Sequence, residues 1–278
     1  MACFAVLDTT TKHVTSVVPI LMAVWARYFF QALLTAAVVL PLRGLAILKT
    51  NHPRQQITRG VLLTVVTGLA FLSLKFLPVG EFTAIVMIGP LLVTLLSART
   101  LGEHVSLPRI WLVCIGFIGT LIIIRPGTDL FGWSLLMPLA VVFVNTVFQL
   151  LTSRMSRTED AMTTQFYTTW VGTALTSVPL FWFWTPITDT GIFLELVLMG
   201  LAGAVGHFLL IMAFERSPAA TLMPYMYSQI GFAMLGGWLV FEHVPDHFSM
   251  VGMVLIALSG MTSGLLTMFE IRQKTNAR

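Results

Sequence analysis

Pro224 to Asp246 reads PYMYSQIGFAMLGGWLVFEHVPD, an apolar run fronted by a proline, two tyrosines and a glutamine and closed by a Glu-His-Val turn. A degraded copy lies upstream. Ala84 to Leu107 reads AIVMIGPLLVTLLSARTLGEHVSL, so that Glu103-His104-Val105 recurs as Glu242-His243-Val244. Each copy follows a second marker at nearly the same distance, Pro78 in KFLPVGE and Pro218 in ERSPAAT. An internal duplication accounts for both coincidences. It divides the chain into residues 1–125 and 126–278.

The composition places both halves in a membrane. Of 278 residues, 56% are hydrophobic and only 10% charged, where a soluble globule carries about a quarter charged residues. Apolar stretches of roughly 20 residues, long enough to cross the hydrocarbon as helix, succeed one another with short polar breaks. A membrane β-barrel would show shorter segments alternating apolar and polar. The fold class is therefore an all-α polytopic membrane protein with ten spans. The first five are Met1 to about Thr11, Val17 to Leu42, Ile57 to Leu77, Glu81 to Leu101 and Ser106 to Ile124. The second five are Leu130 to Thr152, Met162 to Phe183, Gly191 to Phe214, Ala219 to Phe241 and His247 to Phe269. The first span is short for a crossing, since Asp8, Lys12 and His13 follow the initiator so soon; it either begins upstream of Met1 or is tilted and irregular.

The loops set an orientation. With a cytoplasmic N-terminus, the inside collects most of the cations, from Arg43 and Lys49 to Arg272 and Lys274, while the outside receives Lys12, Lys75 and Arg125. This asymmetry follows the positive-inside rule, and Trp133, Trp182, Trp184 and Trp238 fall near outer span ends, at headgroup depth. The net charge of +4 is thus a matter of topology, and no nucleic-acid partner is needed. Cys3 and Cys114 lie in apolar segments without the spacing of a disulfide framework.

Five spans per half is an odd number, so the second copy enters the membrane upside down. Inverted repeats are a physical route to alternating access, because exchanging the conformations of the halves turns an inward-open cavity outward. The architecture points to transport and says little about the cargo.

Several stretches carry a resemblance: FAVLDTTTK at Phe4 to Lys12, WARY at Trp25 to Tyr28, FLPVGEFTAI at Phe76 to Ile85, GPLLVTLLSARTLGEHV at Gly89 to Val105, and SQIGFAMLGGWLVFEHVPD at Ser228 to Asp246. Over essentially its full length the chain resembles the EamA family of the drug/metabolite transporter superfamily. It is similar to a bacterial inner-membrane branch that includes riboflavin and S-adenosylmethionine transporters, beside relatives that export amino acids and other metabolites. The resemblance implies ten helices with both termini cytoplasmic, two inverted five-helix repeats, and a central cavity lined mainly by spans 1, 3, 4, 6, 8 and 9. One departure is Phe241, where the family has a glycine before the second motif glutamate; Gly102 holds that place in the first half.

Polar groups at membrane depth are the candidate site residues, because each is costly unless it faces protein or water. Asp8 and Lys12, at i and i+4, are spaced to pair on one helical face, either lining a cavity or neutralising each other near a helix end. Arg27 could attract an anionic substrate, but its stem is also long enough to reach the outer headgroups, which favours a structural role. Asn145 and Gln149, again i and i+4, are placed to hydrogen-bond a neutral heterocycle or amide, or to tie the sixth span to a neighbour. His207 follows Gly200, Gly203 and Gly206, small residues that let another backbone approach. It is either a proton-coupling group or a histidine satisfied between helices. Tyr225 and Gln229 share a helical face just beyond Pro224, with Gly89-Pro90 interrupting the matching span of the first half. Interrupted helices in matching places point to a midplane site.

Glu103 and Glu242 read as helix-end residues. The Glu242, His243, Asp246 and His247 cluster is broken by Pro245 and does not predict a metal site. No phosphate-loop, His-Glu-x-x-His or Gly-x-Ser-x-Gly pattern occurs, so neither an enzyme nor a cofactor is expected. The leading expectation is a carrier of a vitamin or nucleoside-like metabolite such as riboflavin or S-adenosylmethionine, acting without ATP. It would act as a monomer or homodimer, by facilitated diffusion or coupled to a proton or other cation. Export of amino acids or amphipathic compounds is the alternative substrate class, and a non-transport membrane assembly protein the alternative function.

Overall fold

The computed structural model describes residues 1–102, 107–125 and 135–276, all helix and short connections. In chain order the helices are α1 (Ala2–Val17), α2 (Ile20–Arg43), α3 (Pro53–Phe76), α4 (Val79–Val86), α5 (Ile88–Thr100), α6 (Leu107–Ile124), α7 (Leu136–Met155), α8 (Ala161–Phe183), α9 (Thr190–Arg216), α10 (Ala219–Met226), α11 (Ser228–Phe241) and α12 (His247–Asn276). Six stretches among the described residues are long and apolar enough to cross a membrane: Ile20–Leu48, Pro53–Phe76, Val79–Thr100, Leu136–Met155, Thr190–Arg216 and His247–Leu266. The Glu103-His104-Val105 motif and Trp133 lie outside the described residues.

The prolines that mark the duplication act alike. Leu77 (φ −111°, ψ 148°) and Ser217 (φ −148°, ψ 144°) are extended and end α3 and α9, because the ring of a following proline disfavours helical backbone at the residue before it. Each proline then opens a span that is broken midway, at Met87 between α4 and α5 and at Tyr227 between α10 and α11. The first break lies in the turn where the Pro90 ring would crowd the carbonyl four residues back. The second departs from the sequence expectation. Pro224 stays within α10, and the break falls at Tyr227, whose buried ring packs directly on Gly260 of α12.

A missing glycine explains a difference between the helix ends. Gly102 takes a left-handed backbone (φ 68°) after α5, whereas after α11 the left-handed residue is Glu242 (φ 53°). With Phe241 in the glycine's place, the turn has moved one residue along.

α8 is apolar enough to pack but rich in threonine. Thr168, Thr173 and Thr176 each donate to the carbonyl one turn back, at 2.8 to 2.9 Å, which satisfies hydroxyls that hydrocarbon would otherwise leave unpaired. Asp160 and Asp189 cap α8 and α9 by accepting from the first free backbone N–H groups.

Helix packing is reciprocal between the halves. α1 packs on α9 and α11 as α7 packs on α3 and α5, α2 packs on α9 as α8 packs on α3, and α2 pairs with α8 as α6 pairs with α12. Glycines set the closest approaches. A Cβ on Gly119 would meet the Gly252 carbonyl oxygen at 2.8 Å, and one on Gly252 would meet the Gly119 carbonyl oxygen at 2.5 Å. Backbone on both sides leaves no side chain to swing away. Gly252→Val is therefore expected to destabilise the α6–α12 pair by about 1–3 kcal/mol, read as a lowered thermal unfolding midpoint in detergent. Gly68→Ala, where nothing lies within 4 Å, should leave the midpoint unchanged or raise it.

Candidate functional site

A central cavity of about 110 Å³ lies between the two halves, touched by α1, α2, α3, both parts of each broken span, α7 and α9. Its wall is mainly aromatic and aliphatic, with Phe4, Phe71, Phe82, Phe148, Met87 and Met226. Set into that wall are Asp8, Arg27, Thr83, Asn145, Gln149, His207 and Gln229. A cavity of this size holds several waters. The residues flanking both helix breaks, Met87 and Pro90 on one side and Met226 and Gln229 on the other, are among its lining.

Asp8 and Lys12 do not pair. The Asp8 carboxylate accepts from Gln229 Nε2 at 3.0 Å across the α1–α11 contact. Lys12 turns the other way, donating to the Leu74 carbonyl at 3.2 Å and the Leu77 carbonyl at 2.9 Å. Those carbonyls are free because Pro78 ends α3 and leaves its last turn without helical donors. Lys12 caps α3 outside the cavity, and α1 continues through both residues to Val17.

Asn145 and Gln149 both reach the cavity from α7. Gln149 is buried and its Oε1 has no hydrogen-bond partner, and Thr83 Oγ1 opposite is likewise buried and unpartnered. Such orphaned groups are expensive in a closed interior. Tyr225 does not reach the cavity. It is 60% exposed and lies outside the cavity lining, because the break at Tyr227 ends the helical register that would have put it on the face of Gln229.

Of the two courses open to the Arg27 stem, the structure shows the inward one. Arg27 is 2% exposed and faces inward. It donates through one terminal nitrogen to Thr67 Oγ1 at 2.7 Å and through the other to His207 Nε2 at 3.0 Å, with its carbon 4.7 Å from the centre of the Tyr28 ring. A guanidinium only donates, so Nε2 accepts and the His207 proton sits on Nδ1. The signal was in the chain: Arg27, Gln31 and Thr35, spaced i, i+4, i+8, form one polar stripe, and all three are buried. The glycines of α9 admit that stripe. A Cβ on Gly203 would touch Gln31 and Arg27, and one on Gly206 would touch Phe4 and Cys3. A second buried cation, Arg59, is held by Thr152, Thr164 and Thr168 over the Phe148 ring and does not line the cavity.

Polar clusters close the bundle at each end of α3. Near Pro53, buried Glu159 accepts from Thr50 Oγ1, the Asn51 amide and Gln56 Nε2. Near Phe76, His243 lies 3.7 Å from Glu81, and Asp246 pairs with Arg125 and accepts from the Ser249 amide at 2.9 Å. The Arg125 and Ser249 hydrogen bonds hold the Asp246 carboxyl down at about 2. A depressed acid contributes stability that is full above its unfolded value and lost as pH falls through the folded one. The stability difference between the native chain and Asp246→Asn should therefore be constant above about pH 4 and vanish between pH 4 and 2, followed by thermal unfolding in detergent across that range.

The family model described as the EamA-like transporter family matches residues 1–125 and 132–263. A riboflavin transporter of Rhizobium johnstonii is 29% identical over 91% of this chain and 84% of its own. An S-adenosylmethionine uptake transporter of Rickettsia felis is 26% identical over 82% and 78%, and a pseudopaline exporter of Pseudomonas aeruginosa 27% identical over 92% and 90%. A crystal structure superposes with a TM-score of 0.74 at 19% identity, covering 95% of this chain and 96% of the other; at that identity it speaks for the fold.

Proposed function

We propose that this chain, which belongs to the EamA-like transporter family, carries a small organic metabolite by opening its central cavity alternately to the two faces of the membrane, without ATP hydrolysis. The observation that carries this reading is the cavity itself. It lies between the halves and is lined by both broken spans and by polar side chains whose hydrogen-bonding groups are unused, Thr83 and Gln149 among them. A rigid assembly protein has no use for unpaired polar groups at the centre of its bundle, whereas a carrier needs them to meet its cargo and must be able to shed it.

The reciprocal packing supports ten crossings arranged as two inverted five-helix repeats, with α4–α5 and α10–α11 each counted as one broken crossing. Exchange of conformations between such repeats moves access from one face to the other. The loop cations support cytoplasmic termini, which puts the Glu159 cluster at the inner end and the Arg125–Asp246 pair at the outer end. Both walls of the cavity come from one chain, which supports the monomer over the homodimer as the transporting unit. The named relatives make a vitamin or nucleoside-like metabolite, riboflavin or S-adenosylmethionine, the leading substrate; the exporter among them keeps efflux of an amino-acid-like compound as the second reading. Asp8, the one acid among the described residues that line the cavity, is the group through which a proton gradient would act.

Uptake of labelled riboflavin, S-adenosylmethionine and neutral and cationic amino acids into liposomes holding the purified chain, with and without an imposed proton gradient, tests this. Saturable flux of one compound is expected. Asn145→Ala with Gln149→Ala should lower it by about tenfold or more, since two hydrogen bonds of about 1 kcal/mol each are removed, while Tyr225→Ala leaves it unchanged. No saturable flux of any compound, with the chain folded and inserted, would contradict the reading.

A further inference from the structure

A groove of about 500 Å³ runs along the surface of the bundle between α2 and α3, closed on its third side by α8. It shares no lining residue with the central cavity. Both helices pack along α8, and glycines pin the three together below the groove. A Cβ on Gly60 of α3 would meet the Val171 side chain of α8 at 2.6 Å, and one on Gly172 of α8 would meet the Tyr28 ring of α2 at 2.4 Å. Past these crossings, Thr64, Gly68, Leu72 and Lys75 form one wall of the groove, at spacings that put them on one face of α3. The space beside Gly68 is open: a Cβ there would meet nothing within 4 Å.

The dimensions and chemistry of the groove suit a lipid tail below a charged head. From Thr64 to Lys75 it follows about 16 Å of helix, the depth of one leaflet of a hydrocarbon core about 30 Å thick. Its two threonine hydroxyls are already spent, Thr64 Oγ1 donating to the Gly60 carbonyl and Thr176 Oγ1 to the Gly172 carbonyl, both at 2.8 Å. A polar solute finds nothing to bond there, whereas an acyl chain gains dispersion contacts along the whole length. The mouth carries Lys75, exposed in the last turn of α3, with Pro19 and Phe183 beside it. Other cations of this end are committed, Lys12 to the Leu74 and Leu77 carbonyls and Arg125 to Asp246. Among the described residues Lys75 makes no hydrogen bond or ion pair.

We propose that this groove binds one anionic phospholipid from the leaflet at the Lys75 end, with an acyl chain laid between α2 and α3 against α8 and the headgroup phosphate on Lys75. A lysine at the membrane surface attracts anionic lipid, and the groove beneath it turns that attraction into a site for a single molecule. Charge selects this occupant: an apolar helix of a second copy would fill the groove and leave Lys75 unmatched, and a free anion would meet Lys75 and leave the groove empty. The bound lipid touches α2 and α3 of the first half and α8 of the second. It therefore stabilises the junction of the halves, as any ligand of the folded state does. The site lies apart from the cavity assigned to the cargo and does not depend on what that cavity carries.

Native mass spectrometry of the purified full chain, stripped of lipid in detergent and titrated with phosphatidylglycerol or with phosphatidylcholine of the same acyl chains, tests this. Lys75→Gln should weaken phosphatidylglycerol by about fivefold, the effect of one lysine near an anionic surface converted to affinity, and leave phosphatidylcholine unchanged. Lys75→Arg should keep the native affinity. Gly68→Leu, which puts a side chain into the open groove, should weaken both lipids. Both positions are on the surface, so the variants are expected to fold, and a native thermal unfolding midpoint without lipid checks that they do. In the Gly68→Leu background, Lys75→Gln should have no further effect, since both residues act on one molecule. Phosphatidylglycerol affinity unchanged by Lys75→Gln, or losses from the two substitutions that simply add, would overturn the site. So would a lipid-free dimer that Gly68→Leu dissociates, which would give the groove to a second copy of the chain.

Discussion

Every backbone and side-chain polar group that enters hydrocarbon must find its partner inside the protein, and this constraint shapes each unusual feature of the chain. The two spans broken at Met87 and Tyr227 would be intolerable facing lipid. They are tolerated because the breaks are buried, the first inside the most deeply buried of the apolar spans. Lys12 crosses the same difficulty by capping the carbonyls that Pro78 leaves open. The threonines of α8 do so by bonding back to their own helix. Among the groups that leave the constraint unmet, Thr83, Gln149, Arg27 Nε and His207 Nδ1 belong to residues lining one cavity, while others, such as those of Thr9, Gln56 and Gln165, lie elsewhere.

Small residues make the arrangement possible. Gly200 and Gly203 bring α9 against α2, Gly206 brings it against α1, and the Gly119–Gly252 crossing locks α6 to α12. Without a hydrophobic drive between helices in lipid, such close backbone contact supplies much of the association energy. The glycines therefore do two things at once: they hold the halves together and they set the distance at which Arg27 meets His207.

Most of the architecture was legible in the sequence. Hydropathy, the paired Glu-His-Val motifs and the prolines Pro78 and Pro218 led to an all-helical membrane chain with matching interruptions, and membership of the EamA-like transporter family agrees with it. The details that escaped were those that depend on direction rather than depth. Arg27 was visible as a charge within a span, but whether its stem turned to headgroups or to the core rests on α9 being thinned by glycines that lie far along the chain. The i, i+4 rule paired Asp8 with Lys12 and Tyr225 with Gln229. It failed for the first because a better acceptor, the exposed end of α3, belonged to another helix, and for the second because the helix itself breaks between the two residues. Local spacing gives what a helix offers to its neighbours; which neighbour accepts is decided by packing.

Asn145, on the cavity wall of α7, provides the most direct test of the account's central claim, that one cavity serves both faces of the membrane. With Cys3 and Cys114 replaced, Asn145→Cys would be labelled in oriented vesicles by a membrane-impermeant thiol reagent applied to one side and then, separately, to the other. The account predicts reaction from both sides, slowed in each case by a transported compound. Reaction from one side only under all conditions, or from neither, would contradict it.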